Sequence, residues 1–158
     1  MTSAQTAARL HESIDQALQL VQGVDDTRTT VTPEKGGWCA RQILGHLIDS
    51  ACNNHRRFVL AQSPDFTHYE SYNQDEWVDR QRYDKVAWRD LVTLWTAYNR
   101  HLAHVISCVP DAAAAREVVG SGGAVTLAWL MEDYVRHLRH HVDQIRGLLA
   151  PASGSVAG

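Results

Sequence analysis

Four stretches of apolar residues recurring at helical spacing restrict the fold of this 158-residue chain more than any other feature. In the first, about residues 3–22, Leu10, Ile14, Leu18 and Val21 share one face, and Gly23 ends the pattern. The second runs from about Cys39 to Gln62 and stops before Ser63-Pro64, where proline disfavours a helical predecessor. The third spans about Asp84 to Val109, with Leu91, Leu94, Trp95, Tyr98, Leu102, Val105 and Val109 in one stripe. The fourth begins near Thr126, after the flexible GSGG at 120–123, and continues to Leu149. Strand signals are confined to residues 116–125, enough for a brief hairpin at most. The fold class expected is therefore all-α, a four-helix bundle. The link at residues 63–83 is longer than the roughly 2–8 residues that join adjacent bundle helices, which predicts a crossover between helices 2 and 3. Its YNQDEW has the makings of a short helix. We expect one domain over residues 1–150, followed by a disordered tail, PASGSVAG, at 151–158.

Composition then removes several classes of function. An apolar fraction of 44% supplies a core without disulfide staples. With 15 Lys+Arg against 18 Asp+Glu, the net charge is −3, which argues against a nucleic-acid partner. Cys39, Cys52 and Cys108 show no CxxC spacing, so a zinc ribbon is excluded and a reducing compartment is expected. The opening MTSAQTAARL lacks a secretory pattern, and no apolar run approaches the roughly 20 residues that span a bilayer. The expectation is a cytoplasmic protein with no membrane partner. What remains unexplained is a surplus of nine histidines.

On the fourth helix the apolar stripe is Leu127, Leu130, Met131, Tyr134, Leu138, Ile145 and Leu149. His141 projects inside that stripe and His137 lies on its flank, whereas His140 points towards the polar side. His137 and His141 thus form an i, i+4 pair, a spacing that lets two imidazoles meet one metal ion. The competing reading is a solvated basic helix, since Arg136, Arg139 and Arg146 are close by. Leu138 stands where a zincin HExxH would need its Glu, so that mechanism is excluded. His101 and His104 on the third helix read as surface residues, and His11, His55 and His68 have no partner at ligand spacing. His46 falls outside the apolar arc of the second helix, in a row with Ser50, Asn53 and Arg57. That row is either a solvated face or one wall of a polar pocket inside the bundle, and spacing leaves both open.

Three segments together resemble the DinB/YfiT family of metal-binding four-helix bundles. They are Trp38-Cys-Ala-Arg41-Gln42-Ile43-Leu-Gly-His46-Leu-Ile-Asp49-Ser50 with Asn53 and Arg57, then Tyr72-Asn-Gln-Asp-Glu-Trp77, then His137-Leu-Arg-His140-His141-Val-Asp-Gln144-Ile145. The resemblance implies an up-down-down-up bundle, often a homodimer, with a divalent metal held by His46, His137 and His141. Some members of the family transfer a low-molecular-weight thiol of the bacillithiol or mycothiol type, and others are labelled metal-dependent hydrolases. One departure is Cys39, where the family more often has Ser or Thr. That substitution weakens a side-chain N-cap and sets a thiol at a helix N-terminus.

Three imidazoles leave a divalent ion with an open position, as in catalytic zinc sites. Zn is the expected ion; Ni, Fe or Mn are alternatives, and imidazole ligation also suits Cu. The open position could serve a thiol cosubstrate, which makes a transferase of small molecules, or a water, which makes a hydrolase. Asp49, one turn beyond His46, is a candidate base or partner of the ligands. Asn53 and Arg57 are candidate contacts for an anionic substrate group. A third reading is a non-catalytic metal- or ligand-binding stress-response bundle, because no general base declares itself.

Overall fold

The computed structural model describes residues 1–150, so the tail expected to be disordered lies outside the described residues. Four long helices form the body: α1 (Ser3–Val21), α2 (Ala40–Leu60), α4 (Trp88–Ser107) and α6 (Leu127–Leu149). Two short helices, α3 (Gln74–Gln81) and α5 (Asp111–Ala114), and a hairpin of β1 (Glu117–Gly120) with β2 (Gly123–Thr126) lie in the connections. Side chains cap three of the helices. Thr2 and Gln5 form a reciprocal capping box on α1, Asn73 accepts from Glu76 N–H on α3, and Thr126 accepts from Trp129 N–H on α6.

The long helices are arranged up-down-down-up, and individual contacts establish the directions. From Arg41 with Asp84, in the turn that leads into α4, to His55 with Tyr98, the pairs advance together, so α2 and α4 run parallel. Trp88 donates to the Val21 carbonyl while Arg100 meets Asp15, so α1 and α4 are antiparallel. His46 meets His137 and Phe58 meets Tyr134, so α2 and α6 are antiparallel. The α-amino group of Met1 lies by Glu132, and Arg28 donates to the Leu149 carbonyl, so α1 and α6 are parallel. Leu10, Ile14, Leu47, Phe58, Trp95, Leu102, Leu138 and Ile145 fill the centre, each fully buried. Burying each such side chain is worth about 1.5–3 kcal/mol, the main force holding four amphipathic helices together.

The third helix begins later than the pattern suggests. A 3₁₀ turn, Tyr83–Lys85, and extended Val86 and Ala87 precede it. The Trp88 N–H is held by the Asp26 carboxylate at 2.9 Å, which fixes the helix start against the first loop. Leu94, placed in the buried stripe by its spacing, is 51% exposed, and Val59 on α2 is 47% exposed. Both stand at the outer edge of an apolar arc wider than the surface available to bury it.

The crossover is built, not loose. Val119 N–H donates to the Thr67 carbonyl and Tyr69 N–H to that of Val119, so the chain at 67–69 docks on the hairpin. Gly120 makes this possible, since a Cβ there would lie 2.3 Å from the Tyr69 ring. Tyr69 in turn lies under the Arg57 guanidinium, 4.4 Å from its centroid. The long link between helices 2 and 3 is thereby brought over one face of α2.

Candidate metal centre

The face of α2 that reads as ambiguous in sequence is buried at His46 and Ser50 and half-buried at Asn53 and Arg57. His46, Asp49 and Ser50 are 1%, 2% and 4% exposed, because the crossover and α6 both pack across them. From α6, His137 and His141 are half-buried and turn towards His46, one helical turn apart. His137 Nε2 stands 3.2 Å from His46 Nε2 and 3.1 Å from His141 Nε2, and the three ligand atoms lie within 4.8 Å of one another. Two nitrogens bound at about 2.05 Å to a tetrahedral ion would be about 3.3 Å apart. The cluster therefore has the dimensions of a three-imidazole site, and among the described residues it is the one group of His, Cys and acidic side chains that meets that test.

The protonation states suit it as well. Burial, then the neighbouring His141 and His137, push His46 down to about 3. Burial, then His141 and His140, hold His137 at about 4. His141 is also lowered, mainly by burial, against the opposing hydrogen bond from Gln144. All three are neutral at pH 7, the form in which imidazole binds a metal.

Ring orientation comes from residues around the three. His141 Nδ1–H donates to Gln144 Oε1 at 2.7 Å, which leaves the lone pair on Nε2, and the Gln144 amide donates onward to His140 at 3.2 Å. Ser50 Oγ stands 3.5 Å from His137 Nδ1. The Trp38 ring packs on that of His46 at 5.0 Å, and His46 Nδ1 has no hydrogen-bond partner among the described residues.

Asp49 has a different setting from the one its spacing suggests. Its Oδ1 accepts from the Tyr83 hydroxyl at 2.6 Å and from the Gln81 amide, both on the crossover side, and it bonds none of the three histidines. Burial raises its pKa against those two hydrogen bonds. Asn53 turns back to the Asp49 carbonyl of its own helix, while Asn54, its neighbour, faces the pocket beside His46 and His137. Arg57 lines that pocket, donating to the Glu70 carbonyl at 2.8 Å and the Asn54 side chain at 3.4 Å. Cys39 is buried at the start of α2, where its N–H donates to Gln42 Oε1.

Sequence reasoning gave no role to Gln144, although its i, i+3 spacing from His141 is a readable signal. Asn54, Tyr69, Gln74 and Trp129 also line the pocket, and only the fold of the crossover brings them there.

Known proteins share the sequence pattern and the fold of this chain. A protein named "Putative metal-dependent hydrolase" from Bacillus mycoides strain KBAB4 is 27% identical over 124 residues, 78% of this chain and 72% of its own. A relative of the same description from Bacillus cereus strain AH820 shows the same identity and coverage. Among solved structures, YfiT from Bacillus subtilis superposes with a TM-score of 0.83 at 22% identity, covering 92% of this chain and 85% of that one. A mycothiol-dependent maleylpyruvate isomerase superposes with a TM-score of 0.75 at 13% identity, covering 92% of this chain and 61% of that one. These two likenesses concern the fold. The sequence pattern that defines the DinB superfamily matches residues 9–145, and the chain belongs to that superfamily.

Proposed function

We propose that this protein is a metal-dependent enzyme that transfers a low-molecular-weight thiol to a small electrophilic substrate. The observation that carries the reading is the convergence of His46 and His141 Nε2 on His137 Nε2, at 3.2 and 3.1 Å, with all three imidazoles held neutral. A divalent ion there, Zn first among the candidates, would supply Lewis acidity that favours the deprotonated thiol. In the overall reaction the thiol sulfur forms a bond to an electrophilic carbon. The bond from that carbon to the leaving group breaks with its electron pair, and the leaving group takes the proton the thiol gives up.

The chain's own residues bind and orient. Gln144 fixes the tautomer of His141, Ser50 stands behind His137, and Arg57 offers a cation for an acidic group of the substrate. Asp49 acts in this reading as a positioning residue, tying the crossover to α2 through Tyr83 and Gln81. Asn54, in place of Asn53, is the polar contact offered to the substrate, since Asn53 bonds the Asp49 carbonyl of its own helix. The homodimer that the resemblance implies belongs to the same proposal, and sedimentation equilibrium tests it.

The second reading is hydrolysis of a small molecule by a water activated at the same centre. The relatives named as metal-dependent hydrolases at 27% identity favour it. The metal content of reconstituted wild type against His46→Ala, His137→Ala and His141→Ala tests the shared part. We expect one ion per chain in wild type and loss in each variant; full retention in all three would overturn the ligand assignment. Turnover that requires an added thiol supports transfer, and turnover without one supports hydrolysis.

A further inference from the structure

The three histidines are distributed between two cavities. One, of about 270 Å³, is bounded by His46 and His137 together with Arg57, Tyr69, Tyr72 and Trp129. The other, of about 590 Å³, is bounded by His141 with Trp38, Ile43, Asp75, Gln144 and Gly147. Gln74, the first residue of α3, borders both, and Trp38, which lines the larger cavity, packs on His46 at 5.0 Å. The histidine cluster therefore stands in the partition, with imidazoles facing each chamber.

The chambers differ in chemistry. In the smaller one, the Arg57 guanidinium lies on the Tyr69 ring and spends one donor on the Glu70 carbonyl and one on Asn54. A guanidinium has five N–H donors, and Arg57 has no carboxylate partner among the described residues. Half-buried Tyr72 and exposed Trp129 add flat apolar faces. The one carboxylate in this lining, Asp133, is paired with Arg136, so the free cation of Arg57 and the flat faces together recognise an acidic group on a planar body. Among the described residues that line the larger chamber, none is Lys or Arg; its polar groups are Gln74, Asp75, His141 and Gln144. It suits a molecule without negative charge.

We propose that the centre is a two-substrate site in which an acidic, planar electrophile occupies the Arg57 chamber and an uncharged thiol occupies the Trp38 chamber. The assignment rests on the three-histidine metal reading above and deepens it. Hydrolysis needs one organic reactant and a water, so a second chamber of this size has no use in it. Transfer between two organic molecules needs both.

Gly147 gives a clean probe of the larger chamber. It lies in α6 and borders the chamber, and a Cβ there meets nothing within 4 Å, so the side chain of Gly147→Leu starts from open space at the chamber wall. The complementary variants are Arg57→Gln, which removes the cation, and Arg57→Lys, which keeps the charge and loses the fork. Binding is measured by calorimetry on cobalt-loaded protein of verified metal content, with benzoate and N-acetylcysteinamide as probes. Benzoate is also measured on metal-free protein.

We expect both probes to bind together. Arg57→Gln should weaken benzoate about tenfold or more, loaded or metal-free, and leave the thiol within twofold. Arg57→Lys should fall between, and Gly147→Leu should weaken the thiol about tenfold or more and spare benzoate. Wild type that holds no cobalt overturns the metal reading. Wild type that holds cobalt while the probes exclude each other, or variants that weaken both probes alike, overturn the two-chamber assignment alone.

Discussion

The Tyr83 hydroxyl donates to Asp49 Oδ1 at 2.6 Å, across a gap in α2 that exists because residue 45 is glycine. A Cβ on Gly45 would lie 2.1 Å from Cδ2 of Tyr83. The aromatic ring thus crosses the helix at close range, next to the ligand candidate His46 in the chain. Gly45→Ala should destabilise the protein by about 1–3 kcal/mol through overpacking, measured by urea unfolding. Tyr83→Phe should lose about 2 kcal/mol near neutral pH, since it withdraws a donor from a buried carboxylate. Wild-type stability in Gly45→Ala would mean that Tyr83 is free to move aside.

Gln144→Ala removes the acceptor that selects the His141 tautomer. Metal affinity should fall about 10–100-fold, with the metal stoichiometry at saturation unchanged. Competition with a chromophoric chelator reads the change, and unaltered affinity would show that Gln144 does not orient the ligand.

The histidine cluster makes the metal-free protein sensitive to acid. His46 and His137 have folded-state values near 3 and 4 against an ordinary 6.5, and His141 is also lowered. Between those limits the unfolded chain binds more protons than the folded one, so stability rises with pH. The contribution is present in full above pH 6.5 and is lost as pH falls through about 4 and then 3. The denaturation midpoint of chelated protein should drop between pH 7 and pH 5. A midpoint that stays level there would mean the imidazoles protonate without strain on the fold.

Metal loading should raise stability by mass action. With free ion at 100 times its dissociation constant the gain is about 2.7 kcal/mol, visible as a higher melting temperature that a chelator abolishes. His46→Ala should show little of this response.

Gly120→Ala addresses the crossover. The added methyl would meet the Tyr69 ring at 2.3 Å and push it from the Arg57 guanidinium. Benzoate binding should weaken, with metal content preserved. Unchanged binding would show that Tyr69 does not hold Arg57 in place.

Much of the bundle was legible because its signals are local. The helical stripes and the long link each depend on residues close to one another in the chain. Every residue of the fourth-helix stripe is buried, and His137 and His141 face inward as their spacing predicts. His46 was not legible in this way. Its row with Ser50 and Arg57 lies outside the apolar arc, and the resemblance to a family, not periodicity, selected it. The shift from Asn53 to Asn54 has the same cause, since one step on a helix turns a side chain by about 100°, and the wall it faces comes from a distant segment.

By itself the sequence determined four amphipathic helices and placed two histidines on one face, because helix geometry converts spacing into direction. Tertiary structure decided the rest. It buried the polar row of α2 under a crossover more than ten residues away in sequence, brought His46 within 3.2 Å of His137, and divided the surroundings into two unlike chambers. Whether a polar face meets water or another polar face depends on which helices pack together, and that is settled only by the sum of burial over the whole bundle.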